Sequence, residues 1–164
     1  MARLEIPLRY RILYASGDVL LRAEIALQIK SRRGMWHQEL FRVDPGSEMT
    51  TMFAALAKKL HVPMPQHAVA NAVHGQTGLE SRSGVLRVRI VGMDATEYAL
   101  PCFFLGDPDA AVPSGQSPTT ARKLLGISGV VNHLRICFDG APGGSPLWTC
   151  DSGKEIIAPI NPQC

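Results

Sequence analysis

Between Val19 and Ile29 every odd position is apolar (Val19, Leu21, Ala23, Ile25, Leu27, Ile29), while Arg22, Glu24, Gln28 and Lys30 fall on even positions. A period of two puts one set of side chains on a buried face, so this stretch reads as a half-buried strand. Gly34 marks a turn after it, and Gln38 to Val43 reads as a second strand that runs into Asp44-Pro45-Gly46, so the two form a hairpin. From Thr50 the period changes. Met52, Phe53, Leu56 and Leu60 suit one helical face, Lys58 and Lys59 favour the negative end of a helix, and Pro63 stops it. Pro63 to Gly84 is rich in Pro, Gly, His, Ser and Asn and reads as an exposed connection. Leu86, Val88 and Ile90 alternate with Arg87 and Arg89 in a third strand that ends near Gly92, and Met93-Asp94 turns the chain. Tyr98 to Leu105 is a continuously apolar strand, followed by a Pro/Ser/Thr/Gly loop from Gly106 to Ala121 that is expected to be mobile. Leu124-Leu125-Gly126 is expected to open a second short helix with Ile127, Val130, Val131 and Leu134 on one side. Arg135 to Phe138 resumes strand, and the Gly/Pro-rich tail from Asp139 holds a candidate edge strand at Glu155-Ile156-Ile157. No internal repeat is visible. Several strands, two short helices and glycine turns predict an all-β domain.

Composition narrows the class further. At 164 residues and 17.8 kDa the chain suffices for one domain with a core and is too short for two full lobes. With 46% hydrophobic and 19% charged residues, the composition is close to globular averages and argues against wholesale disorder and against a coiled coil. The net charge of +3 is small and its basic residues are scattered, which predicts no nucleic-acid footprint. Glu5 and Pro7 interrupt the apolar stretch that a secretion signal needs, and the longest apolar runs fall well below the roughly 18 residues of a membrane span. A soluble chain without membrane association is expected. Cys102, Cys137, Cys150 and Cys164 match neither a metal spacing nor a disulfide-dense scaffold. Cys102 and Cys137, inside apolar segments, read as reduced core residues, and the cytoplasm is the expected compartment.

The sharpest chemical feature is Phe41-Arg42-Val43-Asp44-Pro45-Gly46-Ser47-Glu48-Met49-Thr50. An acid that closes an apolar strand and precedes a tight glycine turn is rigid, partly desolvated and surrounded by backbone N–H groups, conditions that tune a carboxylate. The same residues also spell an Asx turn or a cap for the following helix, and Asp44 alone does not separate these readings. His61, His67 and His74 lie in a proline-broken segment that cannot focus them on one metal, so they read as solvated loop residues. Arg32-Arg33 beside Trp36 reads as a solvated hairpin tip.

The rest of the chain resembles the retropepsin-like aspartic proteases, single-domain homodimeric relatives of pepsin, in four elements in the right order. Val43 to Thr50 is similar to the hydrophobic-Asp-Thr/Ser-Gly-Ala/Ser-x-x-Thr active-site loop, preceded by its strand hairpin. His74-Gly75-Gln76-Thr77-Gly78 resembles the glycine-rich flap tip, followed by the Leu86 to Ile90 strand. Tyr98 to Gly106 resembles the apolar strand behind the flap. Leu124-Leu125-Gly126 resembles the hydrophobic-hydrophobic-Gly element of that family, and Leu134 to Phe138 the strand after it.

The resemblance implies an acid-protease β-barrel over residues 18–140, an N-terminal segment at 1–17 and a tail at 141–164. It implies peptide-bond hydrolysis by a water held between two carboxylates, one Asp44 from each subunit of a homodimer, with no metal or organic cofactor. By the same transfer the Gly46 N–H donates to Asp44, Ser47 supports its outer oxygen, and Thr50 belongs to the loop. His74, Gly75, Gln76, Thr77 and Gly78 close over an extended peptide, and Leu124, Leu125 and Gly126 pack beneath the loop. Pro45 departs from the pattern. It has neither the hydroxyl that braces the two loops in this family nor an N–H, although it fixes φ. A weakly active or inactive peptide-binding or dimerisation module of the same fold is therefore the competing reading, and an unrelated β-barrel adaptor a third. Asp151-Ser152-Gly153 matches the three-letter motif more literally, yet too little chain follows it to complete a site, and it is expected to be a surface turn.

Overall fold

The computed structural model describes residues 3–7, 9–12, 19–73, 76–112, 123–128, 134–139 and 147–152. In chain order these form β1 (Arg3–Pro7), β2 (Arg9–Ile12), β3 (Val19–Arg22), β4 (Glu24–Lys30), β5 (Trp36–Val43), β6 (Thr50–Phe53) and the short helix α1 (Ala54–Lys59). They continue with β7 (Val69–Val73), β8 (Gln76–Ile90), β9 (Tyr98–Leu105), β10 (Leu124–Leu125), β11 (Leu134–Asp139) and β12 (Leu147–Ser152).

Alternation becomes burial along β4, where Ile25, Leu27 and Ile29 are buried and their neighbours half-exposed. β4 pairs antiparallel with β5 from Glu24↔Arg42 to Lys30↔Trp36. The main sheet runs β4-β5-β10-β6-β9-β8-β7, and a further pairing of β4 with the Val88–Ile90 end of β8 closes β4 through β8 into a barrel, with β7 paired to the start of β8. Closure pairs part of the β4 and β8 edges that an open sheet would leave to solvent. Phe41, Met52, Leu86, Cys102 and Phe104 fill the interior. Cys102 is a free thiol, and burial pushes it up, away from thiolate chemistry. For Cys137, on β11, the described residues give the backbone alone. No helix among the described residues is long and apolar enough to cross a membrane.

At the closing seam, Glu97 accepts hydrogen bonds from Lys30 Nζ at 2.7 Å and Arg87 Nη1 at 3.0 Å. These two donors, Lys30 first, hold its carboxyl below the ordinary value of 4.5. A depressed acid contributes stability that is present above the ordinary value and lost as pH falls through the lower folded one. Glu97→Gln is accordingly expected to flatten the acid side of the stability profile below about pH 4.5 and leave its slope near neutrality unchanged, as read from urea midpoints against pH.

The all-β expectation is met, with several local differences. The strand expected over Val19 to Ile29 breaks at Ala23, because β3 pairs with β2 while β4 pairs with β5. The helix expected from Thr50 starts at Ala54. Thr50–Phe53 is a strand held between β9 and β10, since main-chain pairing outweighs an apolar spacing that a helix and a buried strand share. The connection expected from Pro63 to Gly84 contains β7 and the first part of β8, which pair with each other from Val69↔Ser81 to Val73↔Gln76, a main-chain pairing that a Pro/Gly/Ser-rich composition does not announce. Leu124–Leu125 does not open a helix but is the two-residue strand β10, buried between β5 and β6. Asp151 and Ser152 are not in a turn: they end β12, which pairs with β1 on one side and β11 on the other. Val130 and Val131, the loop residues 113–121 and Glu155 to Ile157 lie outside the described residues.

Candidate active site

At the end of β5 the backbone is held from two directions. Val43 N–H donates to Ala23 O at 2.9 Å, and Asp44 N–H donates to Leu125 O at 3.1 Å. Pro45 and Gly46 then occupy the centre of a tight turn closed by Ser47 N–H to Asp44 O at 3.0 Å, with proline where such a turn wants a preset φ. Gly46 N–H donates to Asp44 Oδ1 at 3.1 Å. The main chain therefore fixes both the position of Asp44 and the direction of its carboxylate, which stays 27% exposed.

The other carboxylate oxygen has a partner that the motif does not predict. Arg42 Nη2 lies 3.3 Å from Asp44 Oδ2, because residues two apart on a strand project from the same face. The signal was present in the alternation of β5, but a functional motif read outward from Asp44 passes over it. The Ser47 hydroxyl, expected at this outer oxygen, donates to Met49 O at 2.9 Å instead. Ser47 is buried, and its carbonyl accepts Ile127 N–H at 2.9 Å, so it shapes the loop without touching the carboxylate.

Leu124, Leu125 and Gly126 come against this loop. β10 lies parallel to β5 (Leu124↔Arg42, Leu125↔Val43) and antiparallel to β6 (Leu124↔Thr51). Gly126 N–H donates to the hydroxyl of the fully buried Thr50 at 3.3 Å, and Ser128 N–H donates to Glu48 O at 2.8 Å. Thr50→Val keeps the shape and removes the acceptor of a buried N–H. It is expected to cost about 1–3 kcal/mol in urea unfolding and to speed amide exchange at Gly126.

Gln76, Thr77 and Gly78 lie at the start of β8, with Val73 opposite Gln76 across a hairpin from β7. His74 and Gly75 lie outside the described residues. His61 and His67 are exposed and far apart in role from the loop: His61 takes a positive φ of 54° as the chain leaves α1. Trp36 is engaged within the molecule, with the Arg89 guanidinium 4.2 Å and Lys30 Nζ 5.4 Å from its ring centre. Among the described residues no group of three or more His, Cys, Asp or Glu converges as a metal site would require. What the loop presents is one rigid carboxylate with a donor on each oxygen.

No protein-family model matches this chain, and no curated protein does. Among solved structures it is similar to a retropepsin-like aspartic protease from Rickettsia conorii. The match covers 92% of this chain and 93% of that one, with a TM-score of 0.50 and 14% sequence identity. At that identity the likeness establishes a shared fold: an all-β, retropepsin-like architecture.

Proposed function

We propose that this chain, which has the fold of a retropepsin-like aspartic protease, is an aspartic peptidase whose site is assembled from Asp44 of two copies. The observation that carries the reading is the hold on Asp44. Its backbone is tied to Leu125, its Oδ1 to the Gly46 N–H, and its loop to Gly126 through Thr50. One such carboxylate cannot supply both a base and an acid. Two in contact share a proton, because both cannot ionise side by side.

In the proposed cycle the ionised Asp44 takes a proton from the water between the two carboxylates, and the water oxygen adds to the scissile carbonyl carbon. The protonated Asp44 of the other copy gives its proton to the carbonyl oxygen. The tetrahedral diol then collapses: the Asp44 now protonated gives its proton to the amine nitrogen, the C–N bond breaks, and the Asp44 now ionised takes a proton from a diol hydroxyl, which restores the starting pair. The hairpin of β7 and β8, including Gln76, Thr77 and Gly78, would pair with an extended peptide substrate, with His74 and Gly75 at its tip. Residues 18–140 would carry this machinery, flanked by segments 1–17 and 141–164. The reduced, buried Cys102 supports a cytosolic location.

A second reading is favoured by the Arg42 contact at 3.3 Å and by Pro45, which lacks the family's bracing hydroxyl. A carboxylate engaged by its own guanidinium suits a weakly active or inactive module that binds peptides or dimerises. The test is hydrolysis of an unfolded protein between about pH 4 and 7 by the purified chain, with its mass in solution measured alongside. Cleavage by a dimer supports the peptidase. A dimer that binds peptides and cleaves none supports the second reading, and cleavage by a monomer overturns both.

A further inference from the structure

The barrel has a gap in its pairing away from Asp44. β8 is paired with β9 from Ser81 to Val88. On its other edge it is paired with β7 as far as Ser81 and with β4 from Val88 onward. Between those points, over residues 82–87, that edge has no strand partner among the described residues. Unpaired strand edges are templates for another extended chain unless something covers them.

A cavity of about 440 Å³ lies along this same stretch, within the size range of ligand sites. Gly84 and Val85 of β8 line it, with Pro63 and Pro65 from the segment after α1 and Lys30, Arg32 and Arg87 around them. Pro65 approaches so near that a Cβ on Gly84 would stand 3.0 Å from its ring, so the glycine is what brings the two segments together. Val85 is 53% exposed, a large apolar side chain left at an open strand edge. Three of the lining residues are cations and none is an acid. Glu97 already takes one hydrogen bond each from Lys30 and Arg87, whereas Arg32 sits exposed on the turn after β4, with its backbone N–H on His61 O at 2.7 Å.

We propose that this slot docks an acidic, extended stretch of polypeptide, which pairs its main chain with residues 82–87 of β8 and sets carboxylates against Arg32 and Arg87. Main-chain pairing supplies the affinity in this mode, and alternate side chains supply the selectivity: one set toward the exposed face of β8 that carries Val85 and Arg87, the next toward the opposite face, where Gly84 meets Pro65. The site is independent of what Asp44 does, and its test reads binding alone.

The probe is a capped hexapeptide of alternating Glu and Val, titrated into the isotopically labelled full chain and followed by amide shifts. Expected are shifts centred on residues 30–32 and 83–87, weakening with added salt, and a Kd raised about fivefold or more by Arg32→Glu. The matching Lys/Val peptide is expected to bind more weakly still. Of two versions of the acidic peptide N-methylated on alternate residues in opposite phase, one is expected to lose binding. Asp44→Asn is expected to bind like the wild type. The proposal is overturned by no shift at millimolar peptide, by equal binding of the Lys peptide, or by indifference to Arg32→Glu. Equal binding of both N-methylated peptides, or shifts centred on Asp44 and Gly46, overturns it as well.

Discussion

Asp44→Asn is expected to lower kcat for peptide cleavage by roughly 10³-fold or more, the scale on which general acid and base groups act. The change is isosteric, and the amide oxygen can still accept the Gly46 N–H that now reaches Oδ1 at 3.1 Å. The loop is held mainly through Leu125, Thr50 and Gly126, none of which contacts the replaced oxygen pair. Loss of the partly exposed Arg42 ion pair changes stability little, so the unfolding midpoint and the dimer should both survive. Mixing experiments sharpen the test. If each site needs two ionisable Asp44 side chains, an equimolar mixture of wild type and Asp44→Asn, allowed to exchange subunits, retains about a quarter of the activity of the same total of wild type. Retention of about half would mean that each chain works alone, and the paired-carboxylate reading would fail.

Gly126→Ala is the largest expected structural effect. A Cβ at this position would stand 2.4 Å from Met49 C, 2.5 Å from Met49 O and 2.8 Å from Thr50 N. These are backbone atoms on the strand-entry side of the Asp44 loop, and they cannot rotate away as a side chain end would. The methyl group must push β10 away from β6, and the hydrogen bond from Gly126 N–H to the Thr50 hydroxyl goes with it. Overpacking plus a stranded buried donor predicts a loss of roughly 3 kcal/mol or more in urea unfolding. Faster amide exchange at Ile127 and Ser128, whose N–H groups bond the loop carbonyls of Ser47 and Glu48, should accompany it. Gly46→Ala is the control, because its added carbon meets Asp44 Oδ1 at 3.4 Å, an ordinary contact. Equal destabilisation by the two substitutions would show that the close approach at Gly126 is not what holds the loop.

The elements legible in the sequence are those whose signal is local. β4 alternates cleanly, so its buried face could be read from Ile25, Leu27 and Ile29. β9 is a bounded apolar run, and Tyr98–Leu105 was the expected span. The turn at Asp44-Pro45-Gly46 announces itself through its residue types. Elements built from distant partners were harder. Thr50–Phe53 carries apolar residues at spacings compatible with a helix, and only its pairing with β9 and β10 makes it a strand. Arg42 was in plain view, yet its place at Asp44 Oδ2 depends on a strand geometry that a motif does not weigh.

Period, turn chemistry and the order of four motifs were enough to determine an all-β chain with its notable acid in a glycine turn, because hydrophobic alternation and backbone preferences act over a few residues. Which strands meet was decided only in three dimensions. Leu124–Leu125 is too short to have a period, and it becomes a strand because β5 and β6 leave it a slot to fill. The Gly126 N–H finds its acceptor on Thr50, 76 residues away. The open edge of β8 exists because β7 stops pairing at Ser81 and β4 begins at Val88. Such pairings are settled by mutual satisfaction of backbone groups across the whole barrel, which no single stretch of chain encodes.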